Sequence, residues 1–259
     1  MAEKTDLVKQ NTGPLATVEQ RPDYITKGHR GVENITKQDM LIPRLGLAQA
    51  LSPEVTEGDP RLIPGLKPGD LFNSTTKESY GREVLVQIVR KDNLRAMEWR
   101  PIADGGGMLD PDVPLNDQRC KWGADGDKPI ATVYRDYLAV LLPANGKPIE
   151  DRLIALSFKS SGIKVAKALN GLIALRNADI FAGVYRITTD MSLVPKPHKI
   201  FKVANAGWVS KEDLTIGEQI YEAVKGLDIA IDRETGETHE DDTFDVEALE
   251  RETGDTERM

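Results

Sequence analysis

Cations and aromatic rings are interleaved in the stretch from Tyr134 to Lys211. This stretch holds 12 Lys and Arg against 5 Asp and Glu, so its net charge is +7. Single-stranded nucleic acid is bound by cations that contact its phosphates and by flat side chains on which its unstacked bases lie. The stretch therefore predicts a polyanionic partner, and the interleaved rings favour single-stranded DNA.

The residues expected to contact this DNA are of two kinds. The cations expected to hold phosphates are Arg135, Lys159, Lys164, Lys167, Arg186, Lys199 and Lys202. The rings expected to stack on bases are Tyr134, Tyr137, Trp208 and, before the basic stretch, Trp99 with its neighbour Arg100. Because neighbours in a strand face opposite ways, only one of Tyr185 and Arg186 can face the ligand.

Several of these residues have a second interpretation as packing or surface residues. We expect Phe158 and Phe201 to lie in the core. Tyr134, Tyr137 and Trp208 fit either the core or a stacking surface, because each keeps a polar edge. Any single lysine is typical of a solvated face, so the prediction depends on the whole set.

The C-terminal segment from Asp232 to Met259 is acidic. It contains 12 acids and 3 bases, a net of −9, so the first 231 residues of a chain with a net charge of −8 carry +1. A tail of this kind can compete with DNA for an attached basic surface. Its apolar residues are expected to contact a partner protein, with plain disorder as the alternative; they are Phe244, Val246 and Leu249.

Residues for catalysis are sparse. The three histidines are far apart in the sequence: His29, His198 and His239. Cys120 is the single cysteine, which excludes an intrachain disulfide and gives no zinc-ligand spacing. The Gly-rich segment 104–108 lacks the spacing of a phosphate-binding loop. Lys159 lacks the preceding acid that a metal-dependent nuclease would use, so we expect no enzymatic activity and no cofactor or metal.

The sequence also bears on localisation. It has no apolar run near 18 residues and no apolar segment at its N-terminus, "MAEKTDLVKQNTG". A membrane span and a secretory signal are therefore not expected. One cysteine fits a reducing cytoplasm, so we expect a cytoplasmic protein.

Hydrophobic periodicity predicts strands around one helix, followed by a second helix. The strands are expected within 70–91, 95–101, 131–143, 152–159, 182–190 and 198–209, and the helices over 160–176 and 210–226. Ser160 or Ser161 would cap the first helix, and Ser210 and Asp213 have capping-box spacing. Residues 102–130 are expected to form a long loop.

This order predicts a mainly β protein of the α+β class. Its body, residues 31–230, would be an OB-like small β-barrel with one helix between strands and a second helix at the C-terminal end. Residues 1–30 and 231–259 would be disordered ends.

Several segments resemble single-stranded DNA-binding proteins of tailed bacteriophages. They are "MLIPRLGLAQALSPEV", "GLKPGDLFNSTTKESYG", "VLVQIVRK", "MEWRP", "LSFKSSGIKVAKAL" and "YRITTD". The resemblance implies an OB-like body that coats single strands during phage replication and recombination, in the host cytoplasm. It also implies an acidic tail that competes for the DNA groove and recruits replication proteins. Such tails often end in acids plus an aromatic residue, whereas this one ends in Glu257, Arg258 and Met259.

Two other functions remain open from sequence alone. A structural or virion protein could use its β-body only to assemble with itself, without binding nucleic acid. A single-strand annealing recombinase would bind DNA and also pair complementary strands. A homo-oligomer is compatible with each of these functions.

Overall fold

The computed structural model describes residues 41–101, 104–124, 127–143, 152–193, 197–226 and 230–231. The predicted disordered segment 1–30 and the tail after residue 231 lie outside these ranges. The strands are β1 (Leu41–Ile42), β2 (Leu45–Leu47), β3 (Leu71–Asn73), β4 (Ser79–Gly81), β5 (Glu83–Lys91), β6 (Arg95–Trp99), β7 (Met108–Val113), β8 (Ala131–Leu142), β9 (Leu153–Phe158), β10 (Gly183–Ser192), β11 (His198–Trp208) and β12 (Ala230–Ile231). The α-helices are α1 (Gly162–Leu175) and α2 (Lys211–Val224).

Five antiparallel strands have the connectivity of an OB fold. β5 pairs with both β8 and β10, while β8 also pairs with β9, and β10 with β11. Counted along the chain, these are strands one to five of the fold, and α1 lies between the third and the fourth. The predicted mainly β architecture with an internal and a C-terminal helix is confirmed.

Backbone pairing does not close these five strands into a barrel within the described ranges. The segment 41–49 lies between the outer strands β9 and β11 and bonds to both. The Ala155 N–H on β9 donates to the Pro43 carbonyl over 2.8 Å. On the other side the side-chain amide of Gln49 takes the place of a strand: its Nε2 donates to Lys199 O over 2.8 Å and its Oε1 accepts from Lys199 N–H over 2.7 Å.

Side-chain alternation gives the sheet two apolar faces. The inner face contributes to the main core through Val84, Val86, Ile88, Tyr137, Ala139, Leu141, Ile154, Leu156, Phe158, Tyr185 and Ile187. α1 packs against this core through the buried residues Ala166 and Leu169. The outer face carries a second cluster, Val89, Leu138, Val140 and Ala155, which packs with Ile42 and with Val224 of α2.

α2 lies close to β5 because Gly217 has no side chain. The buried Gln87 on β5 donates from Nε2 to Phe181 O over 2.7 Å and to Asp213 O over 2.9 Å, which satisfies both amide hydrogens. A Cβ at residue 217 would lie 2.2 Å from that nitrogen. Ser210 caps α2 as predicted, since its hydroxyl accepts from the Asp213 N–H over 3.1 Å.

Two predicted local features differ in the structure. α1 has no side-chain capping bond from Ser161, and Ser160 adopts a φ of 43° while its carbonyl accepts from the Ile163 N–H. The segment predicted as a long loop, 102–130, contains β7, which pairs with β6. Pro111 and two aspartates are typical of loops, so the sequence of β7 does not predict a strand. The structure accommodates them because β7 is an edge strand, which tolerates proline.

The packing of α2 predicts the effect of adding one methyl group. Gly217→Ala should lower the free energy of unfolding by about 1–3 kcal/mol, because the new Cβ overpacks against Gln87. The matched control is Gly171→Ala in α1, where nothing lies within 4 Å of the new Cβ. The control should be neutral or stabilising by up to about 1 kcal/mol. Urea unfolding measures both, and equal stabilities would contradict the packing described.

Candidate nucleic-acid interface

Trp208 ends β11 with its ring largely in solvent. The residue is 63% exposed. The guanidinium carbon of Arg176 lies 4.5 Å from the ring centroid, which is cation–π distance. The protein therefore supports the indole while leaving much of its surface accessible. A supported and exposed ring is a suitable platform for an unstacked base.

Tyr134 and Tyr137 are core residues and correct the expectation that their rings stack on bases. Tyr134 is 7% exposed and Tyr137 is 0% exposed. The Tyr137 hydroxyl donates to Asn170 Oδ1 over 2.9 Å, and its ring meets Phe158 edge-on. Burial raises the pKa of Tyr137, so its hydroxyl stays protonated as a donor. Phe158 is buried as expected, and Phe201 packs partly buried against the same core.

Alternation separates Tyr185 from Arg186. Tyr185 is fully buried in the core, whereas Arg186 is exposed on the other face. Lys202 shares that outer face, because it pairs with Thr188, two residues beyond Arg186. Two predicted phosphate contacts therefore lie together on the β10–β11 ladder.

Both of these cations face carboxylates. Arg186 Nη1 lies 3.5 Å from Glu83 Oε1, and Lys202 Nζ lies 3.5 Å from Asp190 Oδ2. The pKa of Asp190 is lowered, first by a hydrogen bond from the Met191 N–H and then by the charge of Lys202. Exposed pairs of this kind contribute little to stability because solvent and salt screen them, so a phosphate can replace the carboxylate at small cost.

Lys164 and Lys167 lie one turn apart on α1 and are exposed. The helix contains no acidic residue. It leads from Lys167 to Arg176, nine residues or about 14 Å further along the axis, and so to Trp208. The two lysines therefore lie on the helix whose C-terminal end contacts the exposed indole through Arg176.

The other predicted cations are partly buried. The Lys199 backbone is held by Gln49, and the Lys199 stem crosses Gly69, where a Cβ would lie 3.3 Å from Lys199 Cε. Arg135 lies opposite Phe158 in the β8–β9 ladder, and Lys159 directly follows β9. The predicted cations thus lie on three separate parts of the structure: the end of the β8–β9 ladder near Phe158, helix α1 and the β10–β11 ladder.

Trp99 and Arg100 belong to a separate element, a hairpin arm between β5 and β8 that contains the paired strands β6 and β7. Trp99 is partly exposed and pairs with Met108 of β7. Arg100 is exposed and its N–H donates to the Gly107 carbonyl over 2.8 Å. The arm is thus an extension of the loop between the first two OB strands, one of the loops that bind oligonucleotides in OB folds.

Arg119 joins β6 to β7 near the turn that connects these two strands. Its guanidinium lies 2.7 Å from Glu98, 2.9 Å from Asp110 and 2.9 Å from Asp117. These hydrogen bonds, that of Asp117 above all, raise the pKa of Arg119. The pKa of Asp117 is lowered chiefly by the Arg119 side chain, and that of Asp110 by the Asp112 N–H and then by Arg119.

No group of three or more His, Cys, Asp or Glu side chains able to hold a metal ion occurs within the described ranges. Neither α-helix of this part of the chain has the length and apolar character needed to cross a membrane. The predicted partner-binding residues lie outside the described residues; they are Phe244, Val246 and Leu249.

The Arg119 cluster predicts a pH dependence of the arm. Because the pKa values of Asp110 and Asp117 are lowered from 3.8 in the folded protein, their stabilising effect is present above about pH 4. It is lost as the pH falls through the lowered values. Carboxyl NMR titration should give midpoints below 3.8 for both residues, and Arg119→Gln should raise them.

Arg61→Gln provides the control for this titration. Arg61 pairs with Asp59, at 3.1 Å, away from the hairpin arm, so its loss should leave Asp110 and Asp117 unchanged. Midpoints at or above 3.8 in the unaltered chain would contradict the role given to Arg119.

Comparison with known protein families gives a match over most of the chain. No curated protein and no solved structure matches the chain. Residues 10–230, most of the chain, match the family described as Pam3 phage gp34-like protein. The matched range ends just before the acidic tail, and it contains the five OB strands, both helices and the hairpin arm. The chain therefore belongs to the phage gp34-like family.

Proposed function

We propose that this protein binds single-stranded DNA without sequence preference and protects it during phage DNA replication or recombination. The observation that carries the proposal is Trp208, an exposed indole supported by Arg176 at the end of the fifth strand of an OB-type sheet. OB folds commonly bind unpaired strands through stacking rings and a basic groove.

The exposed cations support the same proposal. Lys164 and Lys167 on α1, with Arg186 and Lys202 on the β10–β11 ladder, offer positive charge on either side of the strand that ends in Trp208. Phosphate contacts of this kind contribute affinity without reading sequence, and they weaken with salt.

α2 restricts the path that the DNA can take. OB folds often bind oligonucleotides on the outer face of strands two and three and on the loops between strands one and two and between four and five. Here Val224 of α2 packs with Leu138 and Val140 of strand two and Ala155 of strand three. The proposed path therefore avoids this covered patch and uses Trp208, α1 and the uncovered ladder.

A fluorescence titration with oligo-dT at several salt concentrations tests the proposal. The chain should bind oligo-dT, prefer it to duplex, and weaken steeply as salt rises. Lys164→Gln/Lys167→Gln should reduce the slope of log K against log salt by about 1.4, since each single-strand phosphate contact contributes about 0.7.

Lys67→Gln/Lys225→Gln is the matched control, because it removes two exposed lysines outside the proposed path, one in the loop before β3 and one at the end of α2 beside the covered patch. It should leave the slope unchanged. Absence of binding at low salt, or equal affinity for duplex, would refute single-strand binding. Equal slopes for the two double variants would remove α1 from the proposed surface.

The acidic tail, which lies outside the described residues, is proposed to compete with DNA for this surface. A chain ending at Ile231 loses a segment with a net charge of −9. Because a tethered tail acts at an effective concentration in the millimolar range, its removal should tighten oligo-dT binding. Replacing the tail by a neutral Gly/Ser segment of equal length should have the same effect. Unchanged affinity for oligo-dT in both altered chains would show that the tail does not compete with DNA and only keeps the protein solvated.

Two alternatives predict different results in the same experiments. A virion protein that only assembles with itself would form large oligomers and leave oligo-dT unbound. An annealing recombinase would bind oligo-dT and also accelerate pairing of complementary strands, which an annealing assay detects.

A further inference from the structure

Arg176 joins the end of α1 to the last two strands of the sheet. It is the first residue after the helix, and its own N–H donates to the Ile173 carbonyl over 3.2 Å. From there its side chain reaches the β10–β11 ladder at the register shift between Val184 and Tyr185. Arg176 was not among the residues expected to contact DNA, although it lies within the basic stretch.

The guanidinium of Arg176 is fixed by oxygen acceptors from both strands. Its Nη2 lies 3.3 Å from Val184 O, 2.5 Å from Asn205 Oδ1 and 2.5 Å from Gly207 O. The Asn205 oxygen also accepts from the Gly207 N–H over 2.8 Å, which orients the amide. One end of the partly exposed Arg176 guanidinium, the Nη2 group, is thus held by protein oxygens from both strands.

Two aromatic rings flank this guanidinium. Its carbon lies 4.5 Å from the centroid of the exposed Trp208 ring and 5.1 Å from that of the buried Tyr185 ring. Space for it depends on Gly183, which pairs with Trp208: a Cβ at 183 would lie 2.8 Å from the Arg176 guanidinium carbon. Arg176 therefore links the core to the exposed indole.

We propose that Arg176 is a positioning residue, which holds the Trp208 ring so that an unpaired base can stack on its accessible surface. This inference rests on the proposed single-strand binding. A free indole on the surface loses rotamer freedom when a base stacks on it, whereas a ring already held on a guanidinium has lost that freedom beforehand. The ligand of this position is an unpaired nucleobase, and the phosphates are held by other cations.

A double-mutant cycle with oligo-dT tests the assignment. Trp208→Ala should weaken binding about 5- to 150-fold, the range of one stacked base. Arg176→Lys should weaken it about two- to fivefold, the range of an exposed cation–π contact, and should leave the salt slope unchanged. In the Trp208→Ala background, Arg176→Lys should cause no further loss. Arg61→Lys, at an arginine elsewhere on the surface, should bind as the unaltered chain does.

Two results would overturn the assignment. Equal losses from Arg176→Lys with and without Trp208 would show that the residue acts independently of the indole. A salt slope reduced by about 0.7 would make Arg176 a phosphate contact. Asn205→Ala, which removes one acceptor and retains the charge, is a second variant and should weaken binding in the same direction.

Fluorescence anisotropy separates this inference from the proposed function. In a chain with Trp99→Phe and Trp122→Phe, Trp208 is the single tryptophan, so its mobility can be measured without DNA. Arg176→Lys should lower the anisotropy at unchanged far-UV circular dichroism; an unchanged anisotropy would refute the positioning role. Failure of the parent chain to bind oligo-dT would refute the proposed function, while the anisotropy would still test the contact.

Discussion

The hydrogen bonding of β8 is the constraint on which the other elements depend. Its twelve residues pair with β9 along one edge and with β5 and then β6 along the other. The half that pairs with β5 and β9 contributes Tyr137, Ala139 and Leu141 to the main core. The half that pairs with β6 extends outward and supports the hairpin arm. One long strand therefore joins the packed body to the element that projects from it.

The two faces of this sheet have different uses. α1 packs against the inner face. α2 covers part of the outer face of strands two and three. α2 can approach the sheet this closely because Gly217 has no side chain to separate the helix from Gln87. These two coverings leave the β10–β11 ladder and its terminal indole as accessible surface. The proposed DNA path is thus set by what the helices cover as much as by where the cations lie.

Much of the fold follows from periodicity, whereas much of the candidate site does not. The alternation of Val84, Val86 and Ile88 predicts β5, and the pattern around α1 predicts a helix between strands. Composition alone could not decide whether Tyr137 packs in the core or stacks on a base, because a tyrosine ring with its hydroxyl suits either role. The hydrogen bonds of Gln49 to Lys199 and of Arg176 to Gly207 join residues far apart in the sequence, so no local sequence pattern predicts them.

Photo-cross-linking with a 5-iodouracil-substituted oligo-dT tests the central claim most directly, because this base cross-links efficiently to the aromatic ring on which it stacks. Peptide mapping of the full chain should place an adduct on Trp208. The adduct should disappear when the oligonucleotide is annealed to its complement. Adducts confined to the hairpin arm, or their absence at low salt, would contradict a single-strand binding surface built around this indole.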